Sequence, residues 1–307
     1  MSENFLSCDW GTSHFRLRLV DALNLEVRGE IKTSEGVAAV ASQAAPETRS
    51  TQFAEILVRH VDTIFQQTNC RATSCIISGM ASSNLGWVEV PYAEAPLSMT
   101  FDHLQKRIFE IFPFGPPIAV TLVSGVRTDN DVMRGEECEL IGLLESNPEL
   151  SDSNVHLLLP GTHSKHVHLK SRRLESFVTF MTGELFEHLR NLPTLRTTLK
   201  AETEMSMSDF LDGVWVAKKC GLSAGLFKIR ARSILSQQEC GAQSFLSGLI
   251  IADELLHLPD APCYLAAPPG LQSIYLNASD QIGREIIPIH PDCLRTAILR
   301  AHRLFLP

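Results

Sequence analysis

The sequence predicts an α/β protein of two domains, and three observations carry that reading. The chain has 307 residues, long for one domain and comfortable for two. Strand-like and helix-like segments alternate along it, and the alternation runs through twice. Each run opens on the same unit: an apolar strand, a glycine turn and a second strand.

The first strand covers residues 4–9, ending in Cys8 and Asp9, and a turn follows at Gly11. Residues 14–20 alternate, with Phe15, Leu17 and Leu19 on one face and Arg16 and Arg18 on the other, the period of a half-buried strand. A turn at 21–24 and a third strand at 25–31 complete an antiparallel trio. Residues 47–66 read as a helix, because Phe53, Ile56, Leu57, Val61, Ile64 and Phe65 recur at helical spacing. Residues 75–78 are a buried strand ending at Gly79. Residues 101–112 read as a second amphipathic helix, stopped by Pro113 to Pro117. A strand follows at 118–123, then a helix over 132–144 with Asp131 at its N-cap.

A polar, turn-forming stretch at 146–149 marks the expected boundary between domains 1–150 and 151–307. The pattern then restarts with strands at 155–159, 165–169 and 176–180. Helices are expected at 182–190, 208–219 and 242–256, strands at 263–267 and 285–289, and a closing helix at 292–305.

Composition excludes several functions. With 44% hydrophobic residues a sizeable core can form, and a net charge of −8 leaves no basic footprint for nucleic acid. No run approaches the length of a membrane span, and the N-terminus lacks a signal-peptide pattern. The eight scattered cysteines, without a CxxC pair, read as reduced thiols of a cytoplasmic protein. His163, His166 and His168 invite a metal reading, but no nearby acid or cysteine completes a site.

Four segments can carry chemistry. In Asp9-Trp10-Gly11-Thr12-Ser13 a carboxylate ends a strand and a Gly-hydroxyl-hydroxyl turn follows. The turn's N–H groups suit phosphate oxygens, and Asp9 suits Mg²⁺ held through water. Leu159-Pro160-Gly161-Thr162-His163-Ser164-Lys165 repeats that logic in the second half. Either turn alone is equally an ordinary hairpin; the pair at matching points is stronger. In the third segment, Asp131 could act as a general base toward a hydroxyl, with Arg134 one turn on facing phosphate or carboxylate. Glu136 and Glu137 read simply as acids favourable to a helix start. In the fourth, Ser83, Asn84 and Trp87 follow a strand end, where they could hydrogen-bond and stack a small polar ligand.

Taken together these segments resemble the 2-dehydro-3-deoxygalactonokinase family, sugar-acid kinases of the actin-like superfamily. The stretches are DWGTSHFRLRL (9–19), SGMASSNLGWVEVPY (78–92), DVMRGEECELIGLL (131–144), LPGTHSKHV (159–167), FVTFMTGELFEHL (177–189) and FLSGLIIADEL (245–255). The resemblance implies two actin-like (ribonuclease H-like) domains with an ATP cleft between them. It further implies Mg²⁺ and ATP-dependent phosphorylation of 2-dehydro-3-deoxy-D-galactonate on its 6-hydroxyl, in galactonate catabolism. Asp131 matches the superfamily's catalytic Asp by position. On this reading Asp9, Gly11, Thr12, Ser13, Gly161, Thr162, His163, Lys165 and Gly270 hold nucleotide and metal. Arg16, Ser83, Asn84, Trp87 and Arg134 hold the sugar acid, and the assembly could be a homodimer.

The sequence departs from the family near its end. A Gly-rich adenosine loop is expected after the strand at 263–267, but the chain reads Ala266-Ala267-Pro268-Pro269-Gly270, and proline supplies no N–H. Ala297 stands where a glycine is expected. Three rival readings follow: a non-catalytic sugar-acid-binding relative, a kinase for another acid such as 2-dehydro-3-deoxygluconate, and a phosphohydrolase on the same fold.

Overall fold

The computed structural model describes residues 4–43, 45–151, 154–199, 204–236 and 241–306. It separates into two compact units, Met1–Ser153 with Lys170–Ser176 and Asp292–Pro307, and Asn154–Leu169 with Phe177–Pro291.

The first unit is built on a six-stranded sheet. Its order is Val27–Thr33, Phe15–Asp21, Asn4–Trp10, Ser74–Gly79, Ile118–Val123 and Lys106–Ile111. The first three strands are antiparallel, as their alternating pattern predicts, while Ser74–Gly79 runs parallel to both Asn4–Trp10 and Ile118–Val123. Helix Pro46–Thr68 covers the sheet with Phe53, Leu57, Val61, Ile64 and Phe65, an apolar stripe at helical spacing. Trp10 is fully buried there, its ring 4.8 Å from both Phe15 and Phe53. Burying such aromatic and aliphatic side chains, at about 25 cal/mol per Å² of apolar surface, anchors the strand end that carries Asp9.

The segment 101–112 is not the expected amphipathic helix: only Phe101–His103 makes a short 3-10 turn. Lys106–Ile111 is an edge strand antiparallel to Ile118–Val123. Its apolar residues satisfy both periods, and the turn through Pro113 folds the segment back onto a strand that needs a partner. Pairing across the sheet overrides the helical spacing, leaving Ile108 and Phe112 exposed.

In the second unit the sheet order is Ile286–Pro288, Cys263–Leu265, Val155–Leu159, Ser164–Lys170 and Arg173–Phe180. Val155–Leu159 pairs antiparallel with Ser164–Lys170 and parallel with Cys263–Leu265. Asn4–Trp10 has the same two kinds of neighbour in the first unit, so the duplication visible in the sequence is topological. The α/β class read from the sequence is the one observed.

Helices Thr182–Leu189, Met207–Ser236, Ala242–Leu255 and Pro269–Ile282 complete this unit. Met207–Ser236 breaks at Gly221, whose φ of 74° is left-handed, so the expected helix 208–219 continues into a second one. Pro269–Ile282 replaces the expected adenosine loop. Pro269 occupies the first helical position, where a missing N–H removes no bond and the fixed φ is already helical. Ala297 lies in the first unit, on helix Pro291–Leu304. Its backbone lies so close to Gly142 that a Cβ there would meet the Ala297 carbonyl oxygen at 1.7 Å.

Among the described residues seven cysteines are free thiols; Cys240 lies outside them. No described helix is long and apolar enough to cross a membrane.

Candidate active site

In the first unit the Asp9 strand and the strand after it make a tight hairpin. The Gly11 N–H donates to the His14 carbonyl at 2.9 Å. The Gly11 and Thr12 carbonyls accept from Val37 and Ala38 at the start of helix Val37–Gln43. This consumes the turn's acceptors and leaves its donors. The Thr12 and Ser13 N–H groups have no hydrogen-bond partner among the described residues, and both side chains are exposed. Free amides beside two hydroxyls on an anchored turn form a cradle for anionic oxygens.

Asp9 sits beside Ser78 across the parallel pairing, next to Gly79. Gly79 has φ 92°, and a Cβ there would lie 2.8 Å from the Trp10 carbonyl oxygen. Only glycine lets the two strand ends close around Asp9. Gly79→Ala should therefore destabilise the protein by about 1–3 kcal/mol, read as a lowered midpoint in a thermal melt. An unchanged midpoint would remove that constraint. Burial raises the Asp9 pKa, Arg16 and Arg18 pull it down, and Glu136 pushes it up again.

Asp131 is not an N-cap. Val132–Met133 is a short strand paired with Val126–Arg127, and Asp131 closes the turn between them. Its N–H donates to Thr128 Oγ1 at 2.9 Å, and its Oδ1 accepts from the Val132 N–H at 2.7 Å. The helix begins four residues beyond Val132, as Glu136–Ser146, with Gly135 at the cap. A local side chain-to-backbone bond has drawn Asp131 into the turn instead.

The acids at this helix start, read from the sequence only as favourable to a helix start, are further candidates for the site. Glu136 accepts from the Arg134 N–H at 3.0 Å, and Glu137 accepts from the Gly135 N–H at 2.7 Å. Glu137 is fully buried, and its other carboxylate oxygen has no hydrogen bond. Burial and the neighbouring Glu136 push its pKa up to about 8. Burial, Glu136 and Asp9 do the same to Glu139. One sequence signal was available: Glu137 stands three and four residues before Leu140 and Ile141, on the helix's apolar face.

The raised Glu137 pKa fixes the sign of a pH effect. Between its ordinary 4.5 and about 8, the folded protein holds a proton that the unfolded chain has lost. That contribution is complete below the ordinary value and disappears as pH rises through about 8. Glu137→Gln, which mimics the protonated form, should flatten the fall in stability between those pH values. Melts across the range check this; an unchanged slope would mean Glu137 is ionised in the fold.

Arg134 Nη1 donates to the Ser82 carbonyl at 2.7 Å and to Ser82 Oγ at 2.6 Å, and the guanidinium lies 4.1 Å from the centre of the Tyr92 ring. It clamps the loop after Gly79. Ser83 is buried and donates to the Met80 carbonyl, while Asn84 is exposed. Arg16 is partly exposed and lies 3.8 Å from Glu30. Trp87 does not offer a ligand platform. It packs in the core 4.7 Å from Phe109, with its N–H donated to Ser50 Oγ, because its large apolar ring gains more from burial.

The second hairpin repeats the arrangement. The Gly161 N–H donates to Ser164 Oγ at 3.4 Å, and the Thr162 carbonyl accepts from the Glu184 N–H. The Thr162 and His163 N–H groups are without a partner among the described residues. Lys165 is buried and its ammonium donates to the His163 carbonyl at 2.9 Å, bracing the turn from beneath. His163 pairs with Glu184, His166 with Glu254 and His168 with Asn154.

A pocket of about 640 Å³ adjoins this hairpin, entirely within the second unit. Pro160 and Gly161 form one side, and Phe186, Ile250, Ile251, Leu271 and Ile274 form apolar walls. Thr182, Ser247 and Tyr275 supply hydroxyls. An apolar slot with few polar groups, next to free turn amides, suits a flat base joined to an anionic tail. Gly270 lies at the start of helix Pro269–Ile282. The first helical bond there is Gln272 N–H to the Pro268 carbonyl, and the Gly270 and Leu271 N–H groups have no partner among the described residues. No group of three or more His, Cys, Asp or Glu among the described residues is arranged to hold a metal by itself.

A family model described as 2-keto-3-deoxy-galactonokinase matches residues 9–301. A Rhizobium meliloti (strain 1021) protein named "Probable 2-dehydro-3-deoxygalactonokinase DgoK1" is 30% identical, over 99% of this chain and 98% of its own. The Escherichia coli (strain K12) protein named 2-dehydro-3-deoxygalactonokinase is 26% identical, over 98% of each. A solved Sinorhizobium meliloti structure given the same kinase name aligns over 99% of both chains, with 27% identity and a TM-score of 0.79.

Proposed function

The chain belongs to the 2-keto-3-deoxy-galactonokinase family, and from that membership we propose that it transfers the γ-phosphoryl group of ATP to the 6-hydroxyl of 2-dehydro-3-deoxy-D-galactonate, as a step of galactonate catabolism. The observation that carries this reading is the second hairpin: its Pro160 and Gly161 line the pocket of about 640 Å³, and the Thr162 and His163 N–H groups that follow have no partner among the described residues. Base and ribose occupy the apolar slot, and the hairpin takes phosphate oxygens. The Gly11-Thr12-Ser13 turn is the corresponding phosphate cradle of the first unit, and Asp9 would hold Mg²⁺ beside it. The ion, when bound, neutralises charge on the phosphates.

Phosphoryl transfer asks little covalent chemistry of the protein, chiefly positioning and charge neutralisation. A carboxylate must still orient the hydroxyl and accept its proton. The family pattern points to Asp131. Glu136 is the alternative, close enough to Asp9 to raise its pKa and not tied into the Thr128–Val132 turn. Arg16 and Asn84 remain the candidates for sugar-acid contacts, with Ser83 and Arg134 shaping the loop between them. The proline pair no longer favours a non-catalytic relative, because it opens a helix and leaves two amides free.

Rates of ADP release with MgATP and a panel of sugar acids test the proposal. We expect kcat/KM for 2-dehydro-3-deoxy-D-galactonate to exceed that for its gluconate epimer by about tenfold or more, since a misplaced hydroxyl leaves polar groups unpaired. Equal rates would make the protein a general kinase of such acids, and no release with any acid would reject the reading.

A further inference from the structure

Helix Ala242–Leu255 lays one face along the pocket: Ser247, Ile250 and Ile251 line it, and Glu254 follows three residues later on that face. Glu254 is 2% exposed and does not line the pocket. It binds the groups that do. One carboxylate oxygen accepts from Tyr275 Oη at 2.9 Å and from Thr182 Oγ1. The other accepts from His166 Nε2 at 3.1 Å. Thr182 and Tyr275 both line the pocket. Thr182 begins helix Thr182–Leu189, whose Gly183 lies so close to the hairpin that a Cβ there would meet Thr162 Cα at 2.8 Å. His166 stands two residues beyond Ser164, on the strand leaving the hairpin. One carboxylate thus ties together four elements around the hairpin and the pocket.

A buried charge is a weak device for stability alone, because desolvation offsets what its partners return, and an apolar side chain of similar size commonly serves better. The same charge does fix geometry, since each donor has one place to go. We infer that Glu254 is a positioning residue for the nucleotide. It holds Thr182 and Tyr275, and through Gly183 the Gly161-Thr162-His163 turn, in the arrangement that accepts a base and its phosphates. This rests on the kinase reading above.

The test is the calorimetric affinity for MgADP, measured beside the KM for the sugar acid and the melting midpoint. Glu254→Ala should weaken MgADP by about thirtyfold, the loss of charge-assisted hydrogen bonds, while the sugar-acid KM stays within about twofold. Glu254→Gln should restore affinity to within about fivefold of wild type. Its amide oxygen can accept from both hydroxyls, and its NH₂ can donate to His166 in the other tautomer. Unchanged MgADP affinity in a folded Glu254→Ala variant, or an equal weakening of nucleotide and sugar acid, overturns the inference. Should that variant not fold, Tyr275→Phe removes one donor at nearly constant volume and should weaken MgADP about threefold to fivefold; no change overturns the inference. If wild-type protein binds no MgADP, the kinase reading itself fails and takes this inference with it.

Discussion

Replacing Asp9 by Asn should lower kcat by about 10²–10³-fold and leave the fold intact, because the change removes a negative charge and almost no volume. Asp9 is the next-to-last residue of strand Asn4–Trp10, beside Gly79 and just before the turn that carries the Thr12 and Ser13 amides. Burial raises its pKa, and the nearby Arg16 and Arg18 oppose that rise. A neutral amide is cheaper to bury there, so the melting midpoint should hold or rise. On the proposed reading, the variant loses the carboxylate that would hold the ion at the phosphates. Turnover should fall much more than affinity for the sugar acid, and raising the Mg²⁺ concentration should recover part of it. Steady-state rates at several Mg²⁺ concentrations check this. Turnover within tenfold of wild type would take Asp9 out of metal binding.

The second large effect separates two carboxylates. Glu136→Gln should cost about 10²–10⁴-fold in kcat if Glu136 accepts the hydroxyl proton, the usual range for a general base. Asp131→Asn should then cost much less, because an Asn can still accept from the Val132 N–H and keep the turn. A large loss at Asp131 with a small one at Glu136 would reverse the assignment toward the family pattern. MgADP affinity should be retained in both variants, since neither carboxylate belongs to the second unit's pocket.

What the sequence disclosed and what it hid follow from the range of the interactions involved. The paired glycine turns were legible because a strand–Gly–hydroxyl–strand unit is a local pattern, and so was helix Pro46–Thr68 from its apolar spacing. Asp131 was misplaced because Asp is favoured both at N-caps and in turns, and a two-residue strand pairing decided between them. Trp87 suited a ligand platform on paper, but core aromatics claimed it. Lys106–Ile111 needed a sheet partner that no local period reveals. Pro268-Pro269 resembled a loop, although proline is well suited to a helix's first turn. Glu254 was hidden most completely. Its partners Tyr275, Thr182 and His166 lie 21, 72 and 88 residues away, so nothing beside it in the chain marks its role.

Transfer of labelled phosphate tests the central claim most directly. With ATP labelled at the γ-phosphorus and 2-dehydro-3-deoxy-D-galactonate as acceptor, the label should appear on the 6-oxygen of the sugar acid, in step with ADP and only when Mg²⁺ is present. Label released as free phosphate, at the same rate with and without the sugar acid, would contradict the account and make the protein a phosphohydrolase built on the same pair of turns.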